Sequence, residues 1–230
     1  MKNINASITA VGSFLPEKIL NNKDLETIVD TNDEWITTRT GIKERRILDK
    51  GIGTSHMAIK AAIAIINKKK LDPLEIDLVI VATITPDMQA TATAAYVASE
   101  IGASNAFGFD ISAACSGFLY GMSTASAFIE SGRYKKIILI GADKMSSIVD
   151  YSDRNTCIIF GDGAGAVLLE PNSEGYGVQD EYLRSNGSNR DLLRIEAGGS
   201  QTPTTKQTVE NKKHFIYQDG KNVFKHAVSN

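Results

Sequence analysis

The fold of this chain is decided by residues 107–132, FGFDISAACSGFLYGMSTASAFIESG. The stretch begins with an apolar alternation, Phe107, Phe109 and Ile111, which predicts a buried strand. Further along, the apolar residues recur at helical spacing. Gly132 marks the expected end of that helix, because glycine is the usual residue just past a helix. The stretch therefore predicts a buried strand that turns directly into a helix.

Cys115 occupies the predicted junction between this strand and this helix, so we expect it at a buried helix start. The positive end of a helix dipole favours a thiolate, which gives Cys115 the setting of a nucleophile. A free cysteine is also among the most commonly buried residues and can serve as a small core hydrophobe. The pattern leaves both interpretations open for Cys115. We interpret Cys157 as structural, because it begins an apolar predicted strand at 157–160.

Other apolar runs indicate the class of fold. The run at 77–84 predicts a strand that is covered on both faces, as in a parallel sheet, and the runs at 136–142 and 166–169 predict two further strands. The amphipathic stretches at 54–70 and 91–101 predict helices between those strands. This alternation of strand and helix predicts an α/β fold with a largely parallel, buried sheet.

The glycine-rich segment GDGAG at 161–165 invites comparison with a phosphate-binding loop. It follows one predicted strand and leads into another, with neither a helix start nor a Gly-Lys-Ser/Thr ending. We therefore reject a phosphate loop and expect the glycines to allow either a tight turn or close packing of two backbones.

The composition excludes several classes of function. The 230 residues carry a net charge of −2, which provides no basic field for nucleic acid, and 42% of them are hydrophobic. No apolar run approaches the roughly 18 residues of a membrane span, and the first residues lack a secretory signal pattern, so we expect a cytoplasmic protein. His56, His214 and His226 form no pair at metal-ligand spacing, so we expect no metal site and see no evident base for a nucleophile.

Trp35 and Arg39 are four residues apart and would share one face of a helical turn. A flat indole beside a guanidinium suits the stacking of a planar base and the pairing of a phosphate. The residues alone favour a simpler interpretation, in which the stem of Arg39 covers a partly buried surface tryptophan.

Five stretches together resemble a known family. They are DEWITTRTGIKERR at 33–46, DISAACSGF at 110–118, SGRYKKIILIGADK at 131–144, DRNTCIIFGDGAGAVLLE at 153–170 and, more loosely, GKNVFKHAV at 220–228. In these motifs the chain resembles β-ketoacyl-ACP synthase III, the initiating condensing enzyme of bacterial fatty-acid synthesis, within the thiolase-like superfamily. The resemblance covers essentially all of residues 4–230. It implies a thiolase-like α-β-α-β-α layered sandwich of two similar halves, usually a homodimer.

The resemblance also implies the limits of these halves. Residues 1–172 would be the complete N-terminal half with the nucleophilic cysteine, and residues 173–230 would begin the C-terminal half. The catalytic His and Asn of the family lie in motifs near VPHQAN and HGNTS, and neither motif occurs in this sequence. We therefore expect the chain to represent the first two-thirds or so of such an enzyme.

The resemblance assigns roles to individual residues. It implies that Cys115 is the acyl-accepting nucleophile, that Trp35 and Arg154 sandwich the adenine of coenzyme A, and that Arg39 steadies a phosphate. The positions that match coenzyme-contacting residues are Thr31, Trp35, Arg39, Arg154, Gly220 and Phe224. Ala90 stands in the acyl-pocket segment where many members carry a bulkier residue, which implies a roomier pocket. No metal or redox cofactor is implied.

The expected reaction is acyl transfer followed by condensation. Cys115 would take an acetyl or other short acyl group from its coenzyme A thioester. A decarboxylative Claisen condensation with malonyl-ACP would then give 3-oxoacyl-ACP, so the expected partners are acyl-CoA, acyl carrier protein (ACP) and a second copy of the chain. As a further hypothesis, Arg39, Lys43, Arg45 and Arg46 could dock an acidic carrier protein.

Three alternatives stay open at this point. A sibling condensing enzyme would share Cys115 but use another primer or acceptor. A non-catalytic or heteromeric fragment would bind coenzyme A or ACP without completing the reaction. A cysteine hydrolase on an unrelated fold would take its base from His56, His214 or His226.

Overall fold

The computed structural model describes residues 4–229. In chain order the strands and helices are β1 (Asn5–Phe14), β2 (Ile19–Asn21), α1 (Asn22–Glu26), α2 (Asp33–Thr40), β3 (Glu44–Arg46), α3 (Thr54–Lys69), β4 (Leu78–Ala82), α4 (Thr93–Glu100), β5 (Phe107–Ile111), α5 (Gly117–Glu130), β6 (Ile137–Lys144), α6 (Arg154–Cys157), β7 (Asp162–Asn172), β8 (Leu193–Ile195), α7 (Lys206–Glu210), β9 (Ile216–Gln218) and α8 (Gly220–Ser229).

The described residues form two compact units. The first, here called the sheet unit, comprises residues 4–16, 48–144 and 162–183. The second, here called the small-element unit, comprises residues 17–47, 145–161 and 184–229. The chain passes between them repeatedly, so each unit is assembled from separate segments of sequence.

The sheet unit contains a five-stranded sheet in the order β1-β7-β6-β4-β5. Strand β4 runs parallel to its neighbours β5 and β6, whereas β7 is antiparallel to both β6 and β1. Four strands therefore share one direction and the fifth opposes them. The α/β class predicted from the sequence is confirmed, and the element order of this unit is βαβαβαββ.

The middle of the sheet is covered on both faces. All five residues of β4 are buried, and they alternate between two apolar clusters. Val79 and Val81 belong to the cluster that includes α3 and α4, whereas Leu78 and Ile80 belong to the cluster that includes α5. This layering explains why the strand has a continuous apolar sequence instead of an alternating one.

Glycines in the sheet unit allow close approach of neighbouring elements. A Cβ at Gly12, inside β1, would overlap the carbonyl oxygen of Ala61 on α3, so only glycine permits this packing. Of the two outcomes expected for GDGAG, the close packing of two backbones is observed, because a Cβ at Gly161 would lie 3.3 Å from the Arg46 backbone, whereas no tight turn forms. Gly163 and Gly165 lie within β7, where Gly165 pairs with Ser13 on one side and Gly141 on the other.

The predicted strand at 157–160 is also wrong. Cys157 is instead the last residue of α6, which is a single helical turn. The Asp153 carboxylate accepts the Asn155 N–H at 3.0 Å, which is the N-cap interaction that starts a helix. A run of four apolar residues fits either a strand or a helix, so the local cap decides the outcome.

The small-element unit is built from short pieces. Two three-residue ladders pair β2 with β3 and β8 with β9, and the longest helix is α8 with ten residues. The Ile216 N–H donates to the Ile148 carbonyl at 2.8 Å, which ties β9 to the segment that precedes α6. The last helix, α8, begins at Gly220.

Candidate active site

Cys115 lies on a tight turn between β5 and α5, as the sequence predicts. A single 3₁₀ turn spans Ala114 to Ser116, and α5 begins at Gly117. Ala114 has φ of +45°, in the left-handed region that costs a non-glycine residue about 1–2 kcal/mol. Strain of this kind persists where the surrounding structure enforces it, and it often marks a functional residue.

The expectation that Cys115 lies at a buried position is wrong, because its side chain is exposed. Burial begins two residues later, at Gly117, where a Cβ would approach that of Ala82 on β4 to 3.2 Å. The start of α5 is therefore packed against the end of β4, while the preceding turn extends past the sheet. This arrangement presents the thiol to solvent on a rigid support.

The second cysteine has a different environment. Cys157 is fully buried at the end of α6. Burial raises the pKa of its thiol to about 11. A thiol in this state is neutral and unreactive near neutral pH, which agrees with the structural role expected for Cys157.

Trp35 and Arg39 share one face of α2, as their spacing predicts. The helix starts at Asn32, whose side chain accepts the Trp35 N–H at 2.7 Å. It ends at Gly41, which has φ of +70°. The Arg39 Cζ lies 4.7 Å from the centroid of the half-buried Trp35 ring, within cation–π distance.

Arg154 joins this pair from a different segment of the chain. Its Cζ lies 5.2 Å from the Trp35 ring centroid, and its guanidinium donates to the Asp30 carbonyl at 2.9 Å. Trp35, Arg39 and Arg154 are here called the Trp35 cluster. Nearby in sequence, the Thr31 hydroxyl oxygen is buried and has no hydrogen-bond partner among the described residues, so it remains available to a ligand.

The remaining predicted site residues lie in exposed positions. Ala90 is in the loop before α4 and has φ of +69°, and this loop ends where the Thr93 and Ala94 N–H groups donate to the Asp110 carboxylate. Gly220 is the first residue of α8, and Phe224 on the same helix is 68% exposed. Phe224 thus presents an apolar surface without cover from the described residues.

One residue of the proposed carrier-docking group has to be removed from it. Arg45 is only 3% exposed, so its guanidinium cannot meet a docking protein. The Nε group of Arg45 donates to the Ile158 carbonyl at 2.9 Å, and another of its nitrogens donates to Asn22. Burial lowers the pKa of the Arg45 guanidinium. No pattern around Arg45 indicates this burial, and arginine is rarely buried unless it is paired.

The histidines have structural surroundings. The His56 ring meets Phe14 edge to face, with centroids 5.7 Å apart, and the His214 Nε2 lies 3.0 Å from the Thr208 hydroxyl. Within residues 4–229 no group of three or more His, Cys, Asp or Glu side chains is arranged to hold a metal ion. No helix in that range combines the length and apolar character that a membrane crossing requires.

Comparison with known proteins places this geometry in a family. Residues 109–187, which include the Cys115 turn, match the profile of the family 3-Oxoacyl-[acyl-carrier-protein (ACP)] synthase III. The chain is 54% identical over 230 residues to Beta-ketoacyl-[acyl-carrier-protein] synthase III 2 of Bacteroides thetaiotaomicron, covering all of this chain and 69% of that protein. It is 57% identical to Beta-ketoacyl-[acyl-carrier-protein] synthase III of Chlorobaculum tepidum, covering 98% of this chain and 69% of that protein.

A solved structure gives the same result at the level of fold. The crystal structure of 3-oxoacyl-[acyl-carrier-protein] synthase III from Aquifex aeolicus matches with a TM-score of 0.81 and 40% identity. The match covers 96% of this chain and 66% of the Aquifex chain. The thiolase-like fold and the acyltransferase class expected from the sequence are thereby confirmed. The chain belongs to the β-ketoacyl-ACP synthase III family.

Proposed function

We propose that the chain initiates fatty-acid synthesis through an acyl-Cys115 intermediate. The Cys115 thiolate attacks the carbonyl carbon of acetyl-CoA or another short acyl-CoA, and the coenzyme A thiolate leaves. Malonyl-ACP then loses carbon dioxide, and the resulting carbanion attacks the acyl-Cys115 carbonyl. The product is 3-oxoacyl-ACP, and the Cys115 thiolate is regenerated.

The observation that carries this proposal is the exposed thiol on a strained turn. Cys115 follows Ala114, with its left-handed backbone, and lies two residues before the start of the 14-residue helix α5. No side chain caps the start of α5, so the partial positive charge of its first turn is available to a thiolate or to a developing oxyanion. A core cysteine would need neither the exposure nor the strain.

We assign the binding of the coenzyme nucleotide to the Trp35 cluster. An adenine placed between Trp35 and Arg154 would contact an aromatic ring on one face and a guanidinium on the other. Arg39 would pair with a phosphate, and the unpartnered Thr31 hydroxyl supplies a further polar contact. Gly220 and Phe224 would line the passage for the pantetheine arm, for which the exposed Phe224 ring provides apolar surface.

Other features of the proposal concern specificity and assembly. Ala90, with its small side chain, favours a pocket that accepts acyl groups larger than acetyl. The active form is a cytoplasmic homodimer, with residues 1–172 as the N-terminal half and residues 173–230 as the start of the C-terminal half. ACP is the partner that delivers the malonyl group, which is the partner named in the relatives' own names.

The test is an intact mass measurement after incubation of the 230-residue chain with acetyl-CoA. We expect one acetyl adduct on the wild-type chain and none on Cys115→Ala. An adduct that persists in Cys115→Ala, or its absence from a folded wild-type chain, would contradict the proposed acyl transfer. Cys157→Ala is the matched control and should be acetylated like the wild type.

A further inference from the structure

The Arg45 guanidinium lies in the interior of the small-element unit and connects two segments. Arg45 is on β3, and two of its nitrogens donate to the Ile158 carbonyl, Nε at 2.9 Å. A third nitrogen donates to the Asn22 side-chain oxygen. A buried charge is retained at a considerable desolvation cost, so a guanidinium with neutral acceptors calls for an explanation.

Asn22 extends this connection to both ends of α2. The residue is 2% exposed, and its amide nitrogen donates to the Asp33 carboxylate at 2.7 Å and to the Ile42 carbonyl at 3.0 Å. Asp33 is the first residue of α2, and Ile42 follows the Gly41 that ends it. Asn22 therefore holds the helix that carries Trp35 and Arg39.

Ile158 directly follows α6, the helical turn that begins with Arg154, and is its C-cap residue. A helix of four residues is not stable by itself, so its position depends on contacts from outside. Arg45 supplies such a contact at the end of α6, and the Asp30 carbonyl binds the Arg154 side chain. The two halves of the Trp35 cluster are thus joined through Arg45.

Close packing at Gly161 also restricts the Arg45 side chain. A Cβ at Gly161 would lie 3.2 Å from the Arg45 Cβ and 3.3 Å from the backbone of Arg46. The segment that follows α6 is therefore packed tightly on β3. This leaves the Arg45 side chain little freedom to take another path.

We propose that Arg45 is a positioning residue for the nucleotide end of coenzyme A. Arg45 fixes α6 against α2 and so sets the distance between the Arg154 guanidinium and the Trp35 ring. A small widening of this gap admits a purine. The Arg154 Cζ is now 5.2 Å from the ring centroid. A purine in van der Waals contact with both groups requires about 7 Å, so the gap opens by roughly 2 Å. This proposal rests on the proposed use of the Trp35 cluster for adenine.

The experiment compares two acetyl donors that differ only in the nucleotide. Acetyl-CoA carries the adenine and phosphates, whereas S-acetylpantetheine does not. The rate of Cys115 acetylation at increasing concentrations of each donor gives its half-saturation concentration. Trp35 is the one tryptophan in the sequence, so its fluorescence reports coenzyme A binding at the cluster directly.

Two substitutions interrupt the connection at different points. Arg45→Lys keeps the charge but cannot reach both acceptors with a planar fork. Asn22→Asp keeps the acceptor for Arg45 and removes the amide that donates to Asp33 and Ile42. For each variant we expect the half-saturation concentration of acetyl-CoA to rise about tenfold, the effect of losing one buried hydrogen bond, and that of S-acetylpantetheine to change less than about twofold.

The control is Ile65→Ala, which opens a cavity in the core of the sheet unit and lowers stability without touching this network. It should leave the ratio of the two half-saturation concentrations unchanged. Equal losses for both donors in the Arg45 and Asn22 variants, or no loss for either, would overturn the positioning role. A wild-type chain whose Trp35 fluorescence responds to coenzyme A, but whose Cys115 stays unacetylated, would instead contradict the proposed acyl transfer.

Discussion

The Cys115 turn and the Trp35 cluster are supported by different kinds of interaction. The turn lies between β5 and the 14-residue helix α5, on a sheet whose strand β4 is completely buried and apolar. The cluster sits on helices of eight and four residues, held by the buried polar groups of Arg45 and Asn22. Apolar cores lose little stability when a substitution keeps the side-chain volume, whereas buried polar networks lose much of their stability when one member changes. The exposed thiol of Cys115 is therefore supported by the part of the structure that tolerates substitution better.

The largest expected effect is the difference in alkylation rate between Cys115 and Cys157. Iodoacetamide at pH 8 should alkylate Cys115 at least a hundredfold faster than Cys157, because the latter is buried and, with a thiol pKa of about 11, only about one part in a thousand ionised. Peptide mass mapping over time measures both rates. Comparable rates in the folded chain would show that α6 opens readily and would weaken the contrast between the two regions.

Removing apolar volume tests the support of the turn. The Leu139 side chain on β6 occupies the space that a side chain at Gly121 on α5 would need. We expect Leu139→Ala to reduce the free energy of unfolding by about 2–5 kcal/mol, measured by urea denaturation. Adding Gly121→Ala to this variant should recover part of the loss, since the new methyl enters the cavity and alanine favours a helix. An additive second loss would disprove the proposed packing.

Removing the aromatic ring tests the cluster. Trp35→Ala should weaken coenzyme A binding by about 1–3 kcal/mol, the usual value of stacking between a base and an aromatic ring. Titration calorimetry measures this binding without the fluorescence of the lost residue. The same change should lower stability by no more than about 1 kcal/mol, because the half-buried ring loses mainly its cation–π contacts. A loss of stability without a loss of binding would identify Trp35 as a purely structural residue.

The smallest expected effect concerns an ion pair of the small-element unit. Burial would raise the pKa of the Asp150 carboxyl, but hydrogen bonds from Ser152 and Lys212 outweigh it and lower the pKa below its ordinary value of 3.8. A lowered pKa adds stability above pH 3.8 that is lost as the pH falls through the folded-state pKa. Lys212→Met should therefore cost less than about 1 kcal/mol at pH 7. Melting curves of the wild type and of Lys212→Met at several pH values should show that their difference in stability vanishes in acid. A difference in stability that persisted in acid would exclude the ion pair as its cause.

The sheet unit was the more predictable region. The helix after Cys115 could be predicted because its 14 residues keep one helical periodicity. The apolar run at 77–84 is long enough to indicate a strand that is covered on both faces. The inward face of α3 is buried as predicted. The family resemblance then supplied the roles proposed for Cys115 and for the Trp35 cluster, which no spacing alone could give.

The small-element unit was less predictable for physical reasons. Strand β8 has three residues, too few to show a periodic pattern. Helix α6 depends on the N-cap at Asp153, whereas the four apolar residues at 157–160 suggest a strand. The burial of Arg45 depends on acceptors at Asn22 and Ile158, which are distant in sequence. Cys115 is exposed because its turn extends beyond the sheet, a property of the assembled unit that the local residues do not encode.

The position of β7 also affects the order in which the chain can fold. Strand β1 hydrogen-bonds to β7 in the register Asn5–Asn172 to Phe14–Ala164, so the paired residues are about 150 or more positions apart. At roughly 5–20 residues per second, a ribosome needs roughly 10–30 s between the two strands. Strand β1 is therefore synthesised long before its partner β7 and joins the sheet late, and closing so long a loop slows folding. During that interval the nascent chain carries β1 as an unpaired strand, so this segment needs protection from aggregation until β7 has been made.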